Sequence, residues 1–330
     1  EHHLHNCDAR FLDFLEPESV QLVLTSPPYW TLKQYRPHEG QLGSVQDYEE
    51  FLGELDRVWT HCYRALAPSG RLIIVVGDVC LSRRKNEGRH MVVPLHASIQ
   101  EHCRAIGFDN LAPIIWHKIA NAKFEVENGS GGFLGKPYEP NAVIKNDIEF
   151  ILMQRKAGEY RSPSVGTRIL SVISAENHRA WFQQIWSGLT GASTRQHPAP
   201  YPLELAERLI RMFSFVGDTV LDPFMGTGTT NLAASLWGRN SIGSEIDPTY
   251  FGRAAERIHT GTTDFFSKAR VTVHREDYGH PRATGSLRQF GISGAFVHHK
   301  GSAKAEEAEP VTRASAPMSQ AEDIAVASRH

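Results

Sequence analysis

Two stretches of this chain bring together residue types that can do chemistry. The first, Thr25-Ser26-Pro27-Pro28-Tyr29-Trp30, follows the apolar run Val20-Gln21-Leu22-Val23-Leu24. A buried strand ending there delivers a hydroxyl, a backbone carbonyl fixed by rigid prolines and an aromatic ring to the edge where open α/β sheets place their ligands. The second, Asp222-Pro223-Phe224-Met225-Gly226-Thr227-Gly228-Thr229-Thr230, follows Thr219-Val220-Leu221 and opens a helix. Its glycines let backbone approach a ligand closely, and the free N–H groups of a helix N-terminus favour a polar or anionic group. About fifteen residues further on, Ser241-Ile242-Gly243-Ser244 reads as a short strand ending in Glu245, a carboxylate placed to accept from both hydroxyls of a ribose. A Gly-x-Gly turn alone occurs in many nucleotide-binding proteins, but its pairing with Ser26-Pro27-Pro28-Tyr29 is specific.

The elements needed to position these residues alternate. A helix over 47–66 is expected from Tyr48, Phe51, Leu52, Leu55, Val58, Trp59 and Cys62 at helical spacing, stopped by Pro68-Ser69-Gly70. Arg71 to Val76 reads as a second buried strand, which leaves Gly77 and Asp78 at the ligand edge. The basic loop 82–90, a helix near 94–106 and strands near 111–116 and 148–154 follow. Leu203 to Phe213 reads as a helix with an apolar stripe, and a further helix starts near Pro248, where Asp247 is a candidate cap. Such alternation implies an α/β fold with a doubly wound, mostly parallel sheet. Between the strands near 111–116 and 148–154, residues 122–146 carry several glycines and prolines and read as a long functional loop.

The two motifs together resemble those of the DNA amino-methyltransferases, over roughly the first three quarters of the chain and ending near Ile258. Because Ser26-Pro27-Pro28-Tyr29 precedes the glycine motif, the resemblance is to the circularly rearranged beta group, and the order argues against relatives that methylate protein glutamine. The resemblance implies a Rossmann-like S-adenosylmethionine-dependent fold, with a catalytic half over 1–156, a small target-recognition insertion over 157–196, a cofactor half over 197–260 and a largely disordered extension over 261–330.

It also implies roles for particular residues. Ser26 and the carbonyl of Pro27 take the amino hydrogens of a base and direct its lone pair at the methyl donor, Pro28 stiffens the turn, Tyr29 stacks on the flipped base and Trp30 supports the wall. Asp8, Asp222, Phe224, Gly226, Thr227, Gly228, Thr229 and Glu245 surround S-adenosyl-L-methionine, with Asp8, expected just before the first helix, at the adenine amino group. His197 stands beside the cofactor's methionine end or is a structural histidine. Ser in place of Asp at position 26 favours cytosine N4 as the target, with adenine N6 as the alternative. A DNA-binding regulator that kept the fold without turnover is the reading from another class.

The partner on this reading is double-stranded DNA, together with a cognate restriction endonuclease if the enzyme does not act alone. Net charge is −2, but residues 1–80 carry −6, 81–200 carry +5 and the remainder −1. Arg83, Arg84, Lys85, Lys123, Lys136, Arg161 and Arg168 lie in the positive stretch, with Arg89, Lys118, Lys145, Arg155 and Lys156, and as a set read as a face that tracks phosphates. Within the insertion, Trp181 and Phe182 read as core.

Several classes are excluded. The 4 cysteines, Cys7, Cys62, Cys80 and Cys103, form no C-x-x-C pair, so neither zinc site nor disulfide framework is indicated, and none follows a proline as in ring-carbon cytosine methyltransferases. No metal is assigned. No apolar run approaches the roughly 18 residues of a membrane span and no signal peptide is visible, so a soluble protein of the cytoplasm or bacterial nucleoid is expected. Glu1-His2-His3-Leu4-His5 reads as a flexible start, and Arg270 to His274 as at most one short strand.

Overall fold

The computed structural model describes residues 1–30, 38, 40–81, 86–118, 146–192, 200–262 and 269–275. In chain order its strands are β1 (His2–His5), β2 (Val20–Thr25), β3 (Leu66–Val76), β4 (Val79–Leu81), β5 (Met91–Val93), β6 (Phe108–His117), β7 (Ile148–Lys156), β8 (Ile185–Trp186), β9 (Thr219–Asp222), β10 (Asn240–Ser244) and β11 (Val271–His274). The helices are α1 (Tyr48–Ala65), α2 (Leu95–Ile106), α3 (Val165–Leu170), α4 (Ala175–Trp181), α5 (Leu203–Phe213), α6 (Thr229–Leu236) and α7 (Pro248–Thr262). Residues 1–280 form one compact unit, and the second, 281–330, lies outside the described residues.

One sheet runs in the order β11-β1-β10-β9-β2-β3-β7-β6-β8, and β4 pairs with β5 apart from it. All its pairings are parallel except those of β7 with β3 and β6. The doubly wound architecture therefore holds. Along β3 the pleat sends Leu72, Ile74 and Val76 to one face, against Leu55, Trp59 and Ile99 of α1 and α2. Ile73 and Val75 go to the other, against Leu205, Leu209 and Ile210 of α5. Burial on both faces is why these strands read as unbroken apolar runs.

Helix α1 starts where Asp47 accepts from the Glu50 amide at 2.8 Å, and Asp47 is followed by two acidic residues in the first turn. Its end differs from expectation. The helix stops at Ala65, Leu66 switches to extended geometry, and Pro68-Ser69-Gly70 lie inside β3, with Ser69 at φ 62°. A Cβ at Gly70 would lie 2.8 Å from the Ala67 carbonyl, so this irregular start of the strand admits only glycine.

The N-terminal residues overturn the reading of a flexible start. His2 to His5 form β1, held in register between β10 and β11, with Leu4 fully buried. No helix follows Asp8; turns carry the chain to β2, and α1 is the first α-helix. Residues 157–192 contain α3, α4 and the edge strand β8, which pairs with β6. Trp181 is buried as expected, held by Arg211 at 4.8 Å from its ring, but Phe182 is 45% exposed because α4 ends there and turns its ring outward.

Candidate active site

Strand β2 leads through α1 to β3 on one side, whereas β9 leads through α6 to β10 on the other, and β2 and β9 are hydrogen-bonded neighbours. The winding reverses between them, and an open sheet leaves a crevice beyond the carboxyl ends of such strands. Both motifs lie there. They border a cleft, partly open to solvent, lined by Ser26 and Pro28 from one motif and by Pro223 and Phe224 from the other.

Ser26 is partly exposed and its hydroxyl donates to the Tyr29 hydroxyl at 3.3 Å. Pro27 and Tyr29 are buried behind the lining, and the Tyr29 hydroxyl lies 3.5 Å from the Val75 carbonyl. Trp30 adopts φ 43° and donates from Nε1 to the Gln46 carbonyl at 3.2 Å, which ties the turn to the segment entering α1.

In the glycine turn, Gly226 has φ 52° and its amide donates to Glu245 at 3.0 Å. Gly228 caps α6 at φ 77°, where a Cβ would meet Ile258 at 2.8 Å. Glu245 lines the cleft, accepts a second amide bond from Asp247 at 2.8 Å, and burial pushes its carboxyl up to about 7. Asp247 caps α7 as expected, accepting from Thr249 and Tyr250 amides. Thr227 and Thr229 are not among the residues lining the cleft, and Arg257 donates to the Thr227 carbonyl and the Thr229 hydroxyl.

Asp8 reaches the cleft because β1 ends beside β10; the Asn6 amide group donates to the Glu245 carbonyl at 2.7 Å. Its carboxylate is also paired with Arg10 at 2.5 Å, which in turn holds Glu54 and the Gly40 carbonyl. Asp222 does not line the cleft. It is 1% exposed, and Thr25, Thr230, Tyr201 and the Phe224 amide all donate to it.

Of the basic set, only part is described. Arg83, Arg84, Lys85, Lys123, Lys136 and Lys145, like His197, lie outside the described residues. Arg161 makes a bidentate pair with Asp218, at 2.7 and 2.8 Å, just before the first residue of β9 and so at the sheet edge opposite the cleft. Arg168 is on α3, whose end is fixed to the same edge by the Val216 amide bonding Ser171. Lys118 pairs with Glu149, Arg155 with Asp109, and Lys156 with the Leu66 carbonyl.

Sequence reasoning missed Gly40, Leu42, Ile246 and Tyr250 in the lining. Only the last two had a signal, because they flank the Asp247 cap just beyond Glu245.

The N6/N4 DNA methylase family model matches residues 20–256, a span that contains both motifs. The chain belongs to this DNA methylase family. Among similar proteins, the Type II methyltransferase M.MjaI of Methanocaldococcus jannaschii is 38% identical over 281 residues, covering 76% of the methylase and 89% of that relative. A presumed DNA modification methylase of Thermus thermophilus, solved with S-adenosyl-L-methionine, is 49% identical with a TM-score of 0.66, covering 83% of this methylase and 99% of that chain. PvuII DNA methyltransferase, described as cytosine-N4-specific, shares the fold of the methylase at 19% identity and a TM-score of 0.56, with 78% and 90% covered.

Proposed function

We propose that this methylase transfers a methyl group from S-adenosyl-L-methionine to the exocyclic N4 amino group of a cytosine flipped out of a short DNA site. The observation that carries the reading is that Ser26 and Phe224, one from each motif, line the same cleft as Glu245. Gly40, at φ +82°, leaves room that a Cβ would close against Arg10 and Asp8. Glu245, Asp8 and Phe224 would hold the cofactor, with Glu245 as the acceptor for its hydroxyls; Arg10 bonds both oxygens of Asp8, so that carboxylate must give up part of this pairing to accept from a ligand. When bound, the cofactor supplies an electrophilic methyl group.

The amino nitrogen of a base is a poor nucleophile because its lone pair is delocalised into the ring. Ser26 and the Pro27 carbonyl accept its two hydrogens, which favours a tetrahedral nitrogen with its lone pair directed outward. Tyr29 offers an aromatic surface to the flipped base. Since that ring is 5% exposed, base entry requires the turn carrying it to shift. The Ser26 hydroxyl, rather than a carboxylate, supports cytosine as the base.

The names of Type II relatives support a setting beside a cognate restriction endonuclease, with solitary action as the alternative. Labelled methyl transfer to mixed-sequence duplex DNA, followed by nucleoside mass spectrometry, tests the reading. N4-methylcytosine is the expected product; N6-methyladenine would overturn the base, and DNA binding without transfer would overturn the activity.

A further inference from the structure

Asp222 is buried where four elements meet. Thr25, the last residue of β2 and the neighbour of Ser26, donates to Oδ1 at 2.6 Å, and the Phe224 amide reaches the same oxygen at 3.1 Å. Thr230, in the first turn of α6, donates to Oδ2 at 2.6 Å, and Tyr201, which leads into α5, reaches Oδ2 at 3.3 Å. A carboxylate offers about four acceptor sites, two on each oxygen. Thr25, Thr230 and the Phe224 amide take three of them, and the Tyr201 hydroxyl, which also bonds Thr230, lies against the fourth, so the buried carboxylate is walled off from a ligand's ammonium group.

We propose that Asp222 is a positioning residue that fixes the Ser26 turn against the glycine turn and does not itself bind cofactor. The proposal rests on the methyl-transfer reading above, because the distance it sets is that between the group accepting the amino hydrogens and the cofactor. Thr25 is adjacent to Ser26, and Phe224 lines the cleft from the other motif. One rigid acceptor therefore holds both sides of the crevice. A displacement of about 1 Å at reacting groups costs on the order of 100-fold in rate while leaving binding largely intact.

The informative variant is Thr25→Val, which keeps the shape of the side chain and removes one donor. Single-turnover methyl transfer at saturating S-adenosylmethionine is expected to fall by about 30-fold, with the cofactor Kd within about 2-fold of wild type, and Thr25→Ser to restore the rate to within about 3-fold. A general packing defect would not produce that split or that rescue. An unchanged rate in Thr25→Val, or a cofactor affinity that falls in step with the rate, overturns the proposal. Amide hydrogen exchange supplies a readout independent of turnover. The amides of Ser26, Tyr29 and Trp30 should exchange faster in Thr25→Val than in wild type, with β3 unchanged; equal exchange at those amides overturns the proposal as well. Absence of transfer by the wild-type protein would instead refute the methyl-transfer reading, and the exchange comparison would still decide the role of Asp222.

Discussion

The amide of Gly226 donates to the carboxylate of Glu245 at 3.0 Å, so the glycine turn and the end of β10 are fastened by the same group that faces the cleft. Burial holds that carboxyl at about 7, against an ordinary value of 4.5. Between these two pH values the folded protein retains a proton that the unfolded chain has lost, so the group's contribution to stability declines as pH rises through the window and stays low above it. Glu245→Gln is therefore expected to be more stable than wild type at pH 8, by on the order of 2 kcal/mol, with the difference gone near pH 4. Thermal melts of both proteins across that range check it. The same variant should bind S-adenosylmethionine more weakly, since a neutral amide is a poorer acceptor for ribose hydroxyls than a carboxylate.

Gly228 combines a left-handed backbone with a Cβ site only 2.8 Å from Ile258 and 3.2 Å from Ala254. Gly228→Ala is expected to cost about 2 kcal/mol from backbone strain and overpacking together. Because α6 and α7 are pushed apart beside the turn, cofactor binding should weaken too. Denaturant unfolding and equilibrium binding measure the two effects separately.

Ser26→Ala should leave cofactor affinity near that of wild type and lower the methyl-transfer rate by about 100-fold, the scale of losing one acceptor that acts on the reacting group. Full turnover by this variant would remove the hydroxyl from the mechanism.

Arg161 and Arg168 lie at the edge of the sheet opposite the cleft. Arg161→Ala should lower stability by about 1 kcal/mol through loss of the Asp218 pair, yet leave the salt dependence of DNA binding unchanged. Joint substitution of Arg83, Arg84 and Lys85 should instead reduce that slope by about 0.9 for each phosphate that is no longer neutralised. Binding titrations at several salt concentrations distinguish these outcomes.

What the sequence conveyed follows from the range of the forces involved. Helix α5 was legible to the residue because its apolar stripe is a local pattern, and β2 because five apolar or neutral residues lead directly into a proline turn. Strand β1 was not, since of its four residues only Leu4 is aliphatic and its register comes from β10 and β11. In the same way Arg161 was read as a phosphate contact because Asp218 is 57 residues away. The Glu245 side chain could be placed from its strand, whereas the enclosure of Asp222 depends on Thr25 and Tyr201, which no local spacing links to it.

The insertion of β1 between β10 and β11 orders events during synthesis. His2 must wait for Ser241, 239 residues later, before it finds its neighbour. Closing so long a loop is entropically slow, and a chain not yet synthesised through Ser241 cannot do it at all. Among the described strands, the one made first is therefore among the last to dock. Asp8 comes into place beside Glu245 only then, so a nascent chain acquires its ligand cleft after, and not during, translation of the Ser26 turn.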